Sequence, residues 1–145
     1  DGLLFTVTEY AKLSAIEVGG AGDVTKTHVK WTYMEDLPDA ASPVTDGKLL
    51  IMPTGFGNVT CLDAKTGNKL WVQELDEGFW SSPILAGEQV YMTDREGLTH
   101  IFKMADTWQE LGKGRLGEQV YATPAFVDGK IYIRTKDHLY AIGKK

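Results

Sequence analysis

The side chains able to carry chemistry are few and widely spaced. His28, His100 and His138 fall in three different segments of the chain. A metal site or an acid–base pair needs such groups to converge, so this dispersal predicts structural histidines. Ser42, Ser81 and Ser82 have no Gly-x-Ser-x-Gly elbow around them and no partner in sight. No P-loop pattern occurs. Cys61 is the single cysteine and lies within an apolar run, which reads as a small core residue and rules out an internal disulfide. The carboxylates Glu35, Asp36 and Asp39 cluster around Pro38 without the spacing of a calcium loop. They read as a solvated connector.

Composition narrows the classes further. The 145 residues are long enough for one domain with a real core. The net charge of −5 gives no reason to expect nucleic acid or an anionic membrane as partner. There is no apolar run of 18 residues, so no membrane insertion is expected. The chain starts at Asp rather than Met and carries no signal segment, which reads as a piece trimmed from a longer precursor.

What must position these residues is a repeat. Ser42-Pro43 recurs as Ser82-Pro83 and as Thr123-Pro124, with the prolines 40 and 41 residues apart. Behind each comes a turn, at Asp46-Gly47, Ala86-Gly87 and Asp128-Gly129. A β-prone run follows: Leu49–Met52, Val90–Met92 and Ile131–Ile133. After a second turn comes another run, at Val59–Leu62, Thr99–Phe102 and Leu139–Ile142. Runs of about five β-branched and aromatic residues between turn residues are strands, and no window holds a 3.6-residue period. Each unit is therefore four strands, A to D, in about 40 residues, the period of a propeller blade. The expected fold is all-β, a partial β-propeller of about 3.5 four-stranded antiparallel blades. The units are approximately 1–39, 40–79, 80–120 and 121–145. Asp1-Gly2 takes the place of Asp46-Gly47, so the first unit lacks strand A, and the last unit stops after C.

The run Cys61-Leu62-Asp63-Ala64-Lys65-Thr66-Gly67-Asn68-Lys69-Leu70-Trp71 resembles the tryptophan-docking motif of pyrroloquinoline-quinone-type (quinoprotein) propeller repeats, departing only in Cys for Ala at its first position. The Ser-Pro opening and the Leu-Tyr-Ala-Ile-Gly ending are also similar to that family. In the first unit Ala15 and Trp31 match, with six extra residues around Gly19–Asp23. In the third unit Lys103 and Lys113 lie near the expected Asp and Gly positions, and Trp108 comes early. On physical grounds Asp63, Thr66 and Gly67 form a tight turn, and Trp71 and Trp31 wedge against a neighbouring blade, each indole N–H needing an acceptor.

The resemblance implies a C-terminal fragment of a seven- or eight-bladed parent, similar to outer-membrane assembly scaffolds. It implies a non-catalytic protein- or ligand-binding domain with a periplasmic or otherwise extracytoplasmic location. Quinone-dependent dehydrogenases of the same superfamily hold their quinone between a tryptophan and an adjacent-cysteine disulfide, with calcium on carboxylates. One cysteine cannot supply that pair, so neither quinone cofactor nor metal is expected. A dehydrogenase fragment, or a sensor or carbohydrate-recognition propeller fused to an enzyme, are the alternatives.

In a blade the D–A crossovers and B–C turns share one face. That face is expected to carry Phe56, Phe79, Trp80, Arg95 and Tyr121. Two readings compete: a partner-binding patch for protein or peptide, or aromatics that plug the channel rim and pack between blades. The missing blades are themselves expected partners, and a second copy closing the ring is the alternative.

Overall fold

The computed structural model describes residues 2–143 and contains fourteen strands and no helix among them. Asp1 of the expected Asp1-Gly2 turn, and Lys144 and Lys145, lie outside the described residues. The first sheet orders β1 (Leu3–Thr8), β2 (Lys12–Glu17) and β3 (Val29–Tyr33). The second orders β4 (Val44–Thr45), β5 (Leu49–Pro53), β6 (Asn58–Asp63) and β7 (Lys69–Glu74). The third holds β8 (Ile84–Ala86), β9 (Gln89–Thr93), β10 (Leu98–Lys103) and β11 (Glu110–Arg115). The fourth holds β12 (Ala125–Val127), β13 (Lys130–Arg134) and β14 (Leu139–Gly143). All pairs are antiparallel meanders. This is the partial propeller the repeat predicts.

The turn between β6 and β7 shows how sequence sets register. Asp63 Oδ1 accepts the N–H groups of Lys65 and Thr66 and the Thr66 hydroxyl at 3.0, 2.8 and 2.9 Å. Gly67 closes the turn at φ 76° and donates to the Asp63 carbonyl. This fixes the backbone angle that a side chain resists. A β-bulge follows at the same place in three sheets, between Ala15 and Ile16, Cys61 and Leu62, and Ile101 and Phe102. In each case the residue before the bulge faces the docking position, so Ala15 pairs with Trp31, Cys61 with Trp71, and Ile101 with Gly112.

The two tryptophans cross to the next blade. Trp31 Nε1–H donates to the Ala64 carbonyl at 3.2 Å, and Trp71 Nε1–H donates to the Ala105 carbonyl at 3.1 Å. Trp31 lies flat over Gly67, where an added Cβ would come within 2.7 Å of the ring. Gly67 is therefore needed for its turn and for the indole of the preceding blade. Around Trp31 the first seam buries Leu13, Leu50, Met52 and Leu62. Around Trp71 the second seam buries Ile51, Val59, Cys61, Phe79, Val90, Met92 and Phe102.

Unit three departs from the motif for a simple reason. Its C–D turn is one residue longer, as Lys103 N–H reaches the Gln109 carbonyl where Asp63 N–H reaches that of Asn68. The extra residue brings Trp108 to the site that Gly67 fills in unit two. There it packs on Trp71 at 5.5 Å and Phe102 at 4.5 Å, within its own blade's side of the second seam.

Two further sets of contacts repeat along the arc. Ser42 N–H donates to Ser82 Oγ, and Ser82 N–H donates to Thr123 Oγ1, both at 2.9 Å. The Ser/Thr-Pro corners are thus linked blade to blade. Crossover carboxylates also reach the B–C turn of the next blade. Asp39 accepts Gly55 N–H at 2.8 Å, and Asp36 accepts Asn58 Nδ2–H at 2.9 Å. Glu35 pairs with Lys69. The Pro38 connector is therefore fastened to blade two, which corrects its reading as a merely solvated loop. At the third seam Glu118 takes the Thr135 hydroxyl at 2.5 Å, Asp137 N–H at 3.2 Å, His138 Nδ1–H at 2.6 Å and the Tyr140 hydroxyl at 3.0 Å. The Thr135 hydrogen bond leads a set of donors that outweighs the effect of burial and holds the Glu118 carboxyl down at about 2.

Two outcomes follow. Trp71→Ala removes an aromatic side chain and its donor from a packed seam and is expected to cost about 3–5 kcal/mol; a chemical unfolding curve shifted by less than about 1 kcal/mol would contradict the seam assignment. Glu118 titrates at about 2 in the fold against an ordinary 4.5, so its contribution is complete above pH 4.5 and is lost as pH falls through about 2. Amide exchange in β13 and β14 should accelerate over that interval more than in β5 and β6, and Glu118→Gln should flatten the difference.

Candidate functional site

The D–A crossovers place Trp80 and Tyr121 at equivalent corners of adjacent blades, 41 residues apart. Their rings meet at 5.2 Å with a 40° tilt. Both stay about half exposed, at 45% and 46%. Arg95, from the B–C turn of unit three, holds its guanidinium 5.8 Å from the Trp80 ring, a cation–π distance. Its other contact is Glu77 at 4.0 Å. Tyr121 donates its hydroxyl to Gln119 at 3.0 Å. The result is a pair of tilted aromatic rings with a cation at one side and Glu77 and Glu96 at its margin. Phe56, on the B–C turn of unit two, is 79% exposed on the same face.

Phe79 does not belong to this surface. It is fully buried in the second seam, with its ring 5.9 Å from His100. The backbone of Gly78 lies so close to Gly55 that a Cβ would meet the Gly55 carbonyl oxygen at 1.8 Å. With Phe79 N–H held by the Thr54 carbonyl, residue 79 is buried and residue 80 is half exposed. Of the five expected face residues, the structure brings Trp80, Tyr121 and Arg95 together, leaves Phe56 apart, and buries Phe79.

The titratable groups serve packing. His100 and Asp94 form a buried pair, Nε2 to Oδ2 at 3.3 Å. Burial pushes the Asp94 carboxyl up, but the hydrogen bonds from His100 and from the N–H groups of Leu98 and Glu96 prevail and hold it below its ordinary value. Asp94 is also the residue that closes its B–C turn, accepting Glu96 and Leu98 N–H. The sequence hides this pair because His100 lies six residues away, across a hairpin. His28 contacts the Thr27 hydroxyl at 2.8 Å, and His138 belongs to the Glu118 set. Cys61 is fully buried, and burial raises its thiol to about 12, which leaves it unreactive. Among the described residues no three His, Cys, Asp or Glu side chains are grouped to hold a metal ion. One motif escapes a reading by repeats: Gly112-Lys113-Gly114-Arg115-Leu116-Gly117 has the glycine spacing of a dinucleotide fingerprint. It lies on β11 and the bend after it, with no following helix to receive a pyrophosphate, so the spacing is coincidental.

Comparisons with known proteins agree with this architecture. No curated protein matches the chain. Among solved structures, BamB from Moraxella catarrhalis is 20% identical with a TM-score of 0.78, over 98% of this chain and 43% of that one. This chain thus spans less than half the length of that relative. The quinohemoprotein alcohol dehydrogenase ADHIIG from Pseudomonas putida HK5 is 13% identical with a TM-score of 0.69, over 92% and 27%. The computationally designed Ika4 protein is 12% identical with a TM-score of 0.75, over 99% and 87%. At these identities the likeness is one of fold. A family model described as outer membrane protein assembly factor BamB matches residues 17–107. That match takes in the first docking tryptophan, the whole of unit two and the third unit as far as its C–D turn, and with it the chain belongs to the BamB family of quinoprotein-like propeller repeats.

Proposed function

We propose that this chain is a non-catalytic propeller segment that docks a protein or peptide partner on the face formed by its D–A crossovers and B–C turns. The observation that carries this reading is the half-exposed Trp80–Tyr121 pair with Arg95 beside it. Tryptophan, tyrosine and arginine are the side chains that most often dominate interface energy. Rings already packed on each other lose little conformational freedom when a partner covers them. The family's description as an assembly factor for outer membrane proteins supports a binding role. It also supports an extracytoplasmic, periplasmic setting for the parent, whose other blades would complete the ring. The partner chemistry that fits is an extended segment offering an aliphatic or aromatic side chain to the rings, with a carboxylate within reach of Arg95.

The dehydrogenase reading draws on fold likeness alone. The side chains of this segment do not fit the quinone sandwich, because Cys61 has no second cysteine and sits inside the second seam. A paired ring of two copies stands as a proposal that a mass measurement in solution decides, since a monomer would exclude it.

The platform is tested by selecting unstructured peptides that bind the wild-type chain and repeating the titration with Trp80→Ala and Tyr121→Ala. Both side chains are half exposed, so folding should survive, as circular dichroism would verify. Affinity is expected to fall at least tenfold in each variant, and unchanged affinity in both would remove the platform as the docking surface.

A further inference from the structure

The loops of the two faces differ in charge far more than the net charge of the chain suggests. Among the described residues, the D–A crossovers and B–C turns hold ten carboxylates and two cations, Arg95 and Lys136. The A–B and C–D turns of the opposite face hold five carboxylates and three lysines. The surplus of negative charge is therefore gathered on the face that carries Trp80 and Tyr121. Four of its ten carboxylates meet a basic group: Glu35 meets Lys69, Glu77 meets Arg95, Asp94 meets His100 and Glu118 meets His138. Glu9, Asp36, Asp39, Asp76, Glu96 and Asp137 have no cation at ion-pair distance among the described residues. Asp36 and Asp39 accept only neutral N–H groups.

The exposed apolar surface of this face is also wider than the Trp80–Tyr121 pair. Tyr10 and Phe56, on the B–C turns of units one and two, are each 79% exposed, and Met34 on the first crossover is 72% exposed. A series of contacts links these turns to Trp80. Glu9, beside Tyr10, borders one cavity together with Asp39. Asp39 holds the N–H of Gly55, the neighbour of Phe56, and Gly55 lies against Gly78. The Gly78 carbonyl in turn accepts Arg95 N–H at 3.0 Å. Bulky apolar side chains are thus interspersed with unpaired carboxylates from unit one to unit three.

Such a surface repels nucleic acid and anionic lipid. It attracts lysine and arginine, whose head groups pair with carboxylates and lie over aromatic rings while their stems cover apolar surface. We propose that the occupant of this face is a cationic polypeptide segment, extended across the loops of units one to three, with Lys or Arg between its apolar residues. The assignment rests on the docking role of the Trp80–Tyr121 pair and adds the partner's charge and reach. The one carboxylate that Arg95 takes lies at the Trp80 end of the segment, and the basic stretch lies over Glu9 and Asp39.

The test is a titration of the folded chain with three matched peptides, in which the apolar residues are kept and the positions between them are lysine, glutamine or glutamate. The lysine peptide is expected to bind at least tenfold tighter than the glutamate peptide at low salt, and the gap should narrow as salt screens the carboxylates. Asp76→Lys should weaken the lysine peptide at least fivefold. Asp106→Lys makes the same change in net charge on the opposite face and should leave its affinity unchanged. Glu9→Lys repeats the test from unit one, should the Asp76 variant fail to fold. Phe56→Ala should weaken all three peptides. Equal affinities for the three peptides, with binding lost in Trp80→Ala, would overturn the cationic partner and leave the aromatic pair as a docking surface. Equal weakening by Asp76→Lys and Asp106→Lys would overturn it as well, since attraction would then follow net charge alone. Unchanged binding in Phe56→Ala overturns the reach to unit two. Absence of binding by all three peptides overturns the inference too, whereas the docking role itself falls only if peptides selected on the wild-type chain ignore Trp80→Ala and Tyr121→Ala.

Discussion

One hydrogen bond from an indole to the backbone of the next sheet is the constraint on which this structure depends. A four-stranded antiparallel sheet of this size has two faces to cover and cannot cover either by itself. The bond from Trp31 to Ala64, and that from Trp71 to Ala105, fix how each sheet is rotated against its neighbour. For Trp31 the acceptor sits in a turn that is itself braced. Asp63 braces that turn from within, and Gly67 leaves it open above. The motif therefore acts on two blades at once, and neither half would be of use without the other.

Much of the architecture was legible in the chain because it recurs. The proline-to-proline step and the paired turns gave the strand count, and the docking motif of unit two placed Trp71 against a neighbour. What stayed hidden was whatever joins one unit to the next through a crossover. Phe79 and Trp80 are adjacent aromatics, and the sequence does not say which is buried; the Gly78–Gly55 approach and the Phe79–Thr54 bond hold the crossover so that Phe79 is buried and Trp80 half exposed. The Glu118 set hides for the same reason, since the crossover residue meets donors from the next unit, while the Asp94–His100 pair hides because a strand residue folds back onto its own turn. The serine and threonine before each proline looked like strand starts and proved to be links between blades.

Unit three shows how a repeat tolerates loss of its own signature. Lys103 replaces the Asp63 brace and one inserted residue removes the Gly67 space, yet Trp108 fills the gap and packs on Trp71 and Phe102. The matching loss at Gly112 is not repaired by a side chain. The third seam relies more heavily on Glu118 and on the Tyr91–Phe126 contact. Hydrophobic filling and charge-assisted bonding thus divide the work differently along one arc.

That unequal division has a mechanical corollary. A tensile load applied along the arc would not be shared evenly among joints of such different make. The first two joints must expel a docked indole before they part, whereas the last would separate the Tyr91–Phe126 contact and the Glu118 links. Strain would gather at that last joint before it reached the other two.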